Sequence, residues 1–262
     1  PIIHHHDVLL RSVRFRELFS PTMAITLGGT TSSKTLSTLL GNVPCVHIGG
    51  SGRNQDPWQS VEWTLRADVE RVVETLQAYS IEPLEKPWQQ GWVRANELAS
   101  QAIQDECAST LWEGSIAAAM VKAMPEQALV RLASSMPIRD VDSFAPRTTA
   151  KLTVSSNRGV NCIDGLIATT LGEAMVHNGP VGVLTGDLSF LHDIGSLSSI
   201  PRPSQPVVIV VVDNDGGGIF GFLPMAEHAT GFEKRFVTPH GQNIPQICNG
   251  FGVPVTIVRE LH

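Results

Sequence analysis

The sequence predicts an α/β protein built on doubly wound parallel sheets, and three observations predict it. Short apolar runs rich in β-branched residues end on glycines or polar turns: Met23 to Leu27 before Gly28-Gly29, Cys45 to Ile48 before Gly49-Gly50, and Val181 to Thr185 before Gly186. Segments with helical spacing of apolar residues alternate with these runs. The run from Val207 to Asp213 is almost continuously β-branched, as expected of a strand covered on both faces. Alternation of this kind implies parallel sheets with crossover helices.

Taken in order, Met23 to Leu27 predicts a strand, and Ser32 or Ser33 predicts the cap of a helix reaching Leu40. Cys45 to Ile48 predicts the next strand. Leu65, Val69, Val72, Val73 and Leu76 stand at helical spacing and predict a helix over Trp63 to Tyr79. Ser80 to Gly91, with Pro83 and Pro87, reads as a linker. Beyond it, Trp92 to Cys107 and Ile116 to Met124 predict helices, and Ala128 to Ala133 and Leu152 to Ser155 predict strands. Cys162 to His177 predicts a helix, Val181 to Thr185 a strand, Leu188 to Leu197 a helix and Val207 to Asp213 a strand. Ile244 to Phe251 and Val253 to Val258 predict a closing helix and strand. The expected organisation is a unit over residues 1–86 and a second over 87–262. No internal repeat is visible.

Composition excludes several classes. The chain has 262 residues, a net charge of -6, 17% charged and 42% hydrophobic residues, a balance too apolar for a disordered chain. No apolar run has the length of a membrane span. An acidic chain without a basic block argues against nucleic acid as a partner. The four cysteines lie far apart with no C-x-x-C pair, which predicts buried free thiols in a reducing compartment. The three adjacent histidines His4-His5-His6 cannot all face one ion from a regular element, and the triplet is not expected to bind metal.

In open parallel sheets, ligands bind beyond the carboxyl ends of the strands. Three segments occupy such ends: Ser134 to Asp140, Gly186-Asp187-Leu188, and Asp213 to Gly218. Asp187 and Asn214 stand 27 positions apart, each just past a strand with a helix between them. Adjacent strands would bring both oxygens to one place. A carboxylate, an amide oxygen and a backbone carbonyl exposed by glycine are hard ligands suited to Mg²⁺ or Ca²⁺. The glycines also permit close approach of a diphosphate. Arg139 and Arg158 lie in loops after strands, where a guanidinium either pairs with a local acid (Asp140, Asp142 or Asp164) or binds an anionic substrate. Neither G-x-S-x-G nor H-E-x-x-H occurs in the sequence.

The spacing from Gly186-Asp187 to Asn214 resembles the thiamine-diphosphate signature. The surrounding words are more specific. Ser135-Met136-Pro137-Ile138-Arg139-Asp140, Ser156-Asn157-Arg158-Gly159, Ile163-Asp164-Gly165, Gly186 to Asp193 and Gly216-Gly217-Gly218-Ile219-Phe220 resemble the MenD family, the 2-succinyl-5-enolpyruvyl-6-hydroxy-3-cyclohexene-1-carboxylate synthases of menaquinone and phylloquinone biosynthesis. Thr31 to Lys34 and Arg53 to Pro57 are similar to its central domain. The resemblance implies a transferase that decarboxylates 2-oxoglutarate on thiamine diphosphate and adds the succinic-semialdehyde carbanion to isochorismate. It implies Mg²⁺ (or Mn²⁺) on Asp187, Asn214 and the Gly216 carbonyl, with Ile163 beneath the bent cofactor and Ile219 beside it. Ser135, Arg139 and Arg158 would hold substrate carboxylates. Phe220 and Leu223 would wall the reaction centre with Ile219, and Lys34 would reach the acceptor substrate. The alternatives are another thiamine-diphosphate-dependent 2-oxoacid decarboxylase or carboligase, and a non-catalytic α/β binding module.

The resemblance also implies that the chain is a fragment. It begins inside the central domain and lacks the N-terminal domain whose glutamate activates the cofactor, so no general acid or base is assigned and the fragment alone is expected to be inactive. The whole enzyme would be a homodimer or homotetramer, cytoplasmic in a bacterium or in the plastid stroma of a phototrophic eukaryote. Departures from the family pattern fall at Ser134, at Val160-Asn161-Cys162, at Thr35 and at Asp213, which would add a negative charge near the metal.

Overall fold

The structure, a computed structural model, describes residues 2–50, 56–79, 86–198 and 203–261. It forms two compact units, Pro1–Ile103 and Gln104–His262. The first holds α1 (His6–Arg11), α2 (Val13–Phe19), β1 (Ala24–Leu27), α3 (Lys34–Leu40), β2 (Cys45–Ile48), β3 (Val61–Leu65), α4 (Val69–Gln77) and most of α5 (Lys86–Ser109). Its three parallel strands run in the order β1-β2-β3. Leu40, Val43 and Cys45 form its buried cluster, with Leu36, Trp58 and Val61 packed against them. Helix α3 starts as expected: the Ser33 hydroxyl accepts a hydrogen bond from Leu36 N at 3.0 Å, satisfying a free amide of the first turn. The same hydroxyl donates to Asp7 at 2.5 Å, and Thr35 donates to that carboxylate at 2.9 Å, which ties α3 to α1.

One long predicted helix proves to be two elements. Val61–Leu65 pairs in parallel with β2, and the helix begins only after Asp68, whose carboxylate accepts from Arg71 N at 3.2 Å. Leu65 matches the helical spacing of Val69 and Val72 by coincidence; β-branched Val61 and Thr64 and the Asp68 cap decide the boundary. The expected linker is partly helical. Lys86 to Gly91 are the first turns of α5, whereas residues 80–85, like Arg53-Asn54-Gln55, lie outside the described residues.

The second unit contains α6 (Glu113–Ala123), β4 (Leu129–Leu132), α7 (Met136–Phe144), β5 (Thr153–Ser156), α8 (Leu166–Val176), β6 (Val181–Gly186), α9 (Asp187–His192), β7 (Val207–Val212), α10 (Met225–His228) and α11 (Ile244–Gly250). Its four strands are parallel in the order β5-β4-β6-β7. The chain leaves β4 for β5 on one side and returns to β6 on the other, so the switch point lies between β4 and β6. Alternate residues of each strand face opposite layers. Val130, Leu132 and Leu184 pack with Ala117 and Met120 of α6. On the other face Leu129 and Val181 meet Ala174 of α8, and Ile167, Phe190, Ile244 and Cys248 join α8, α9 and α11 over Ile209 and Val211. Helices on both faces of a parallel sheet are the doubly wound arrangement the sequence predicts.

Four local expectations change. Strand β7 ends the described sheet and is covered on both faces only in part: Val210 and Val212 pack on the α6 side and Ile209 and Val211 on the other, but Val208 is 55% exposed. The segment Val253–Val258 forms no strand; Val253 packs on the α8–α11 layer, but Ile257 and Val258 face outward and the backbone joins no ladder. The helix expected from Cys162 starts at Leu166, because Gly165 adopts a left-handed turn that ends the preceding loop. The helix expected over Leu188 to Leu197 stops at His192, and a separate short turn spans Ile194–Ser198. Asp193 makes that break: its carboxylate accepts from Ser196 Oγ at 2.6 Å and from Ala168 N, in the first turn of α8, at 2.9 Å. All four cysteines are free, but only Cys45 and Cys248 are buried; Cys162 is exposed. Burial pushes the Cys248 thiol up from its ordinary value, as it does for Cys107. Among the described residues, no helix is long and apolar enough to cross a membrane.

Candidate active site at the carboxyl edge of the second sheet

Because the four strands of the second unit are parallel, their carboxyl ends form one edge. In sheet order it carries Asn157-Arg158 after β5, Ser134-Ser135 after β4, Asp187 after β6 and Asp213 to Gly216 after β7. Gly186 and Val212 are direct ladder partners, so Asp187 and Asp213 follow at the same level.

Asp187 is 1% exposed, yet carries a carboxylate. An isolated charge at that depth is costly, so its hydrogen bonds matter. Oδ1 accepts from Leu188 N at 2.6 Å, and Oδ2 accepts from Gly216 N at 2.8 Å. The remaining contact is His240 Nε2, 3.2 Å from Oδ2. His240 also lies 3.8 Å from an Asp213 oxygen. Ligand atoms of Asp187, Asp213 and His240 all lie within 4.8 Å of one another, a spacing that one divalent cation could bridge. A buried carboxylate next to a second acid fits a cation.

Asn214 is arranged differently from the expectation. It is exposed, and its amide Nδ2 donates to Glu113 Oε1 at 2.6 Å. Its neighbour Asp213 is the residue grouped with Asp187. Gly216 is buried, and its carbonyl accepts from Gly218 N at 3.0 Å. Gly216 has φ +144°, and a Cβ built there would lie 2.4 Å from the Val237 carbonyl oxygen. No side chain fits without moving the backbone that leads to His240. Gly216→Ala is therefore expected to destabilise the fold by about 1–3 kcal/mol and to weaken metal binding, read by urea unfolding and metal titration.

Ser135 has φ 74°, which is uncommon for a residue with a Cβ, and its hydroxyl does not cap α7. Its carbonyl accepts from the Arg139 guanidinium. Arg139 forms no ion pair among the described residues, and Arg158 is exposed and forms neither an ion pair nor a hydrogen bond. Asp164 lies near His192 at 3.9 Å instead. Among the described residues neither arginine pairs with a local acid. Ile163 is half-buried in the turn before α8. Ile219 and Phe220 lie on one short helical turn, Gly218–Phe222, with Leu223 at its end. Phe220 packs against Phe236 at 5.9 Å between ring centres, and Phe236 stacks on Phe232. Lys34, the first residue of α3, is exposed in the other unit.

Residues 143–261 match the family model "Thiamine pyrophosphate enzyme, C-terminal TPP binding domain". Nearly the whole chain also aligns with 2-succinyl-5-enolpyruvyl-6-hydroxy-3-cyclohexene-1-carboxylate synthases. It is 36% identical to that of Rubrobacter xylanophilus over 254 residues, covering 95% of this chain and 44% of the relative. Identity is 33% to that of Bacillus cytotoxicus, covering 96% and 44%, and 35% to that of Saccharopolyspora erythraea, covering 96% and 45%. Nearly the whole chain is thus similar to part of these synthases. It spans less than half the length of these curated relatives.

Three residues of the site escape motif reading. Asp213 stands out only as a departure. Glu113 sits 101 positions before Asn214. His240 lies in the irregular segment after β7, where no periodicity marks a role. The sole local hint is the turn chemistry of Thr238 to Gly241, with left-handed Thr238 and Gly241.

Proposed function

We propose that this chain is part of a thiamine-diphosphate-dependent carboligase that decarboxylates 2-oxoglutarate and joins the remaining four-carbon unit to isochorismate. One observation carries the proposal: a single sheet edge bears a buried carboxylate, Asp187, with Arg158 in the loop after β5 and Arg139 not in a loop, as expected, but in helix α7 after β4, and neither arginine pairs with an acid among the described residues. Both proposed substrates are carboxylate-rich, and an arginine fork binds a carboxylate through two parallel hydrogen bonds.

Asp187 would hold Mg²⁺ or Mn²⁺, with Asn214 and the Gly216 carbonyl as the expected further ligands. For Asn214 this requires its amide to turn from Glu113. Thiamine diphosphate, when bound, supplies the electron sink for carbon dioxide loss and carbon–carbon bond formation. Ile163 would support it from below. Ile219, Phe220 and Leu223 would exclude water, and a weakly polar wall favours loss of a carboxylate as carbon dioxide. Ser135, Arg139 and Arg158 would anchor substrate carboxylates, and Lys34 would approach the acceptor. The first unit corresponds to part of a central domain and the second to the diphosphate domain. The assembled enzyme is a homodimer or homotetramer, which agrees with outward Val154, Met175 and Val176 on β5 and α8.

The test uses the full-length protein with Mg²⁺, thiamine diphosphate, 2-oxoglutarate and isochorismate. Carbon dioxide release coupled to isochorismate consumption is expected. Turnover of pyruvate alone would point to an acetolactate-type enzyme, and no heat on titration with cofactor and metal would point to a binding module without this chemistry. Arg158→Ala is expected to raise KM for 2-oxoglutarate about 10–100-fold, the loss of a charge-assisted hydrogen bond.

A further inference from the structure

His240 has a ring geometry that specifies what it does to Asp187. Gln242 N donates to His240 Nδ1 at 3.0 Å, so Nδ1 carries the lone pair. In the neutral ring the proton therefore sits on Nε2, which lies 3.2 Å from Asp187 Oδ2 and donates to it. A protonated Nε2 has no lone pair for a metal. His240 is thus a donor to the carboxylate and not itself a metal ligand beside Asp187.

The segment carrying the ring is itself pinned to the turn after β7. Asp215 Oδ1 accepts from His240 N at 3.0 Å and from Gly241 N at 2.7 Å. Gly217 N donates to Val237 O at 2.7 Å just before it. The side chain of His240 is only 10% exposed. With Gly216 N on the same oxygen, His240 fixes Oδ2 from two directions. Carboxylates that ligate metals depend on such partners for their orientation.

We propose that His240 is a positioning residue for the metal centre: its Nε2–H holds the Asp187 carboxylate in the orientation that captures a divalent cation, and Asp215 locks His240 in place. The inference rests on the cofactor reading above, because it takes Asp187 as a metal ligand.

The experiment titrates Mn²⁺ into the full-length protein with thiamine diphosphate present and follows loss of the free-ion electron paramagnetic resonance signal. His240→Leu keeps bulk but donates nothing, whereas His240→Gln restores an N–H donor at similar reach. The Leu variant should bind Mn²⁺ about 10–100-fold more weakly, the Gln variant within a few-fold of wild type, and the metal-free melting temperatures of the two should agree. Asp215→Ala, which releases the segment but leaves the ring, should also weaken binding and serves if the Leu variant does not fold. Wild-type affinity in the Leu variant, or equal loss in the Leu and Gln variants, overturns the role of His240 and leaves the cofactor reading intact. A wild-type protein that takes up neither Mn²⁺ nor thiamine diphosphate overturns both.

Discussion

Asp187→Asn should lower metal-dependent affinity for thiamine diphosphate on the order of 100-fold or more without destabilising the metal-free protein. The two halves of this expectation have one cause. The carboxylate is 1% exposed, and only hydrogen-bond donors offset its charge. Holding a buried anion without a cation costs folding free energy, so an amide of the same shape relieves that cost. The amide also loses the charge that a hard divalent cation requires. Calorimetric titration with Mg²⁺ and thiamine diphosphate reads the first half, and thermal unfolding without metal reads the second. Undiminished cofactor binding would move the metal away from Asp187. A melting temperature lowered by many degrees would make its role structural.

Arg131→Ala should cost about 3–5 kcal/mol of stability, the range for breaking a buried ion pair by removing one partner. Arg131 lies in the middle of β4 and is 4% exposed. Its guanidinium pairs with Glu173 of α8 at 2.7 Å, donates to Ser155 Oγ at 3.3 Å and hydrogen-bonds the Asn157 side chain. Truncation strands Glu173 and removes the anchor of the loop that carries Arg158. The double change Arg131→Met with Glu173→Leu should recover much of the stability, because apolar groups of similar volume need no compensating charge. Recovered stability without recovered KM for 2-oxoglutarate would separate the pair's part in the fold from its part in holding the Arg158 loop. Urea unfolding and steady-state kinetics of the full-length protein supply the two readings. A loss below about 1 kcal/mol for Arg131→Ala would refute the account.

Much of the second sheet was legible in the chain because its signals are local. Val181 to Thr185 and Val207 to Val212 are runs of β-branched and apolar residues, and such side chains favour extended backbone wherever they stand. The helix cap at Ser33 is likewise settled within a few residues. Where local signals compete, reading fails. The helical spacing of Leu65 with Val69 ran through a strand end, and Val253–Val258 looks like a strand but has no ladder partner. Strand propensity describes a side chain, whereas a strand requires a neighbour.

By itself, the sequence determined the α/β class, the order of most elements and the placement of Asp187, Ser135, Arg139 and Arg158 after strands, since periodicity and turn chemistry act over a few residues. Only the tertiary structure decided which groups meet. The strand order β5-β4-β6-β7 aligns segments far apart in the chain along one edge. His240 reaches Asp187 across 53 positions, Arg131 reaches Glu173 across 42, and Asn214 turns to Glu113 across 101. Hydrogen bonds and ion pairs over such separations leave no pattern in neighbouring residues, because loop closure and packing, not local propensity, bring their partners together.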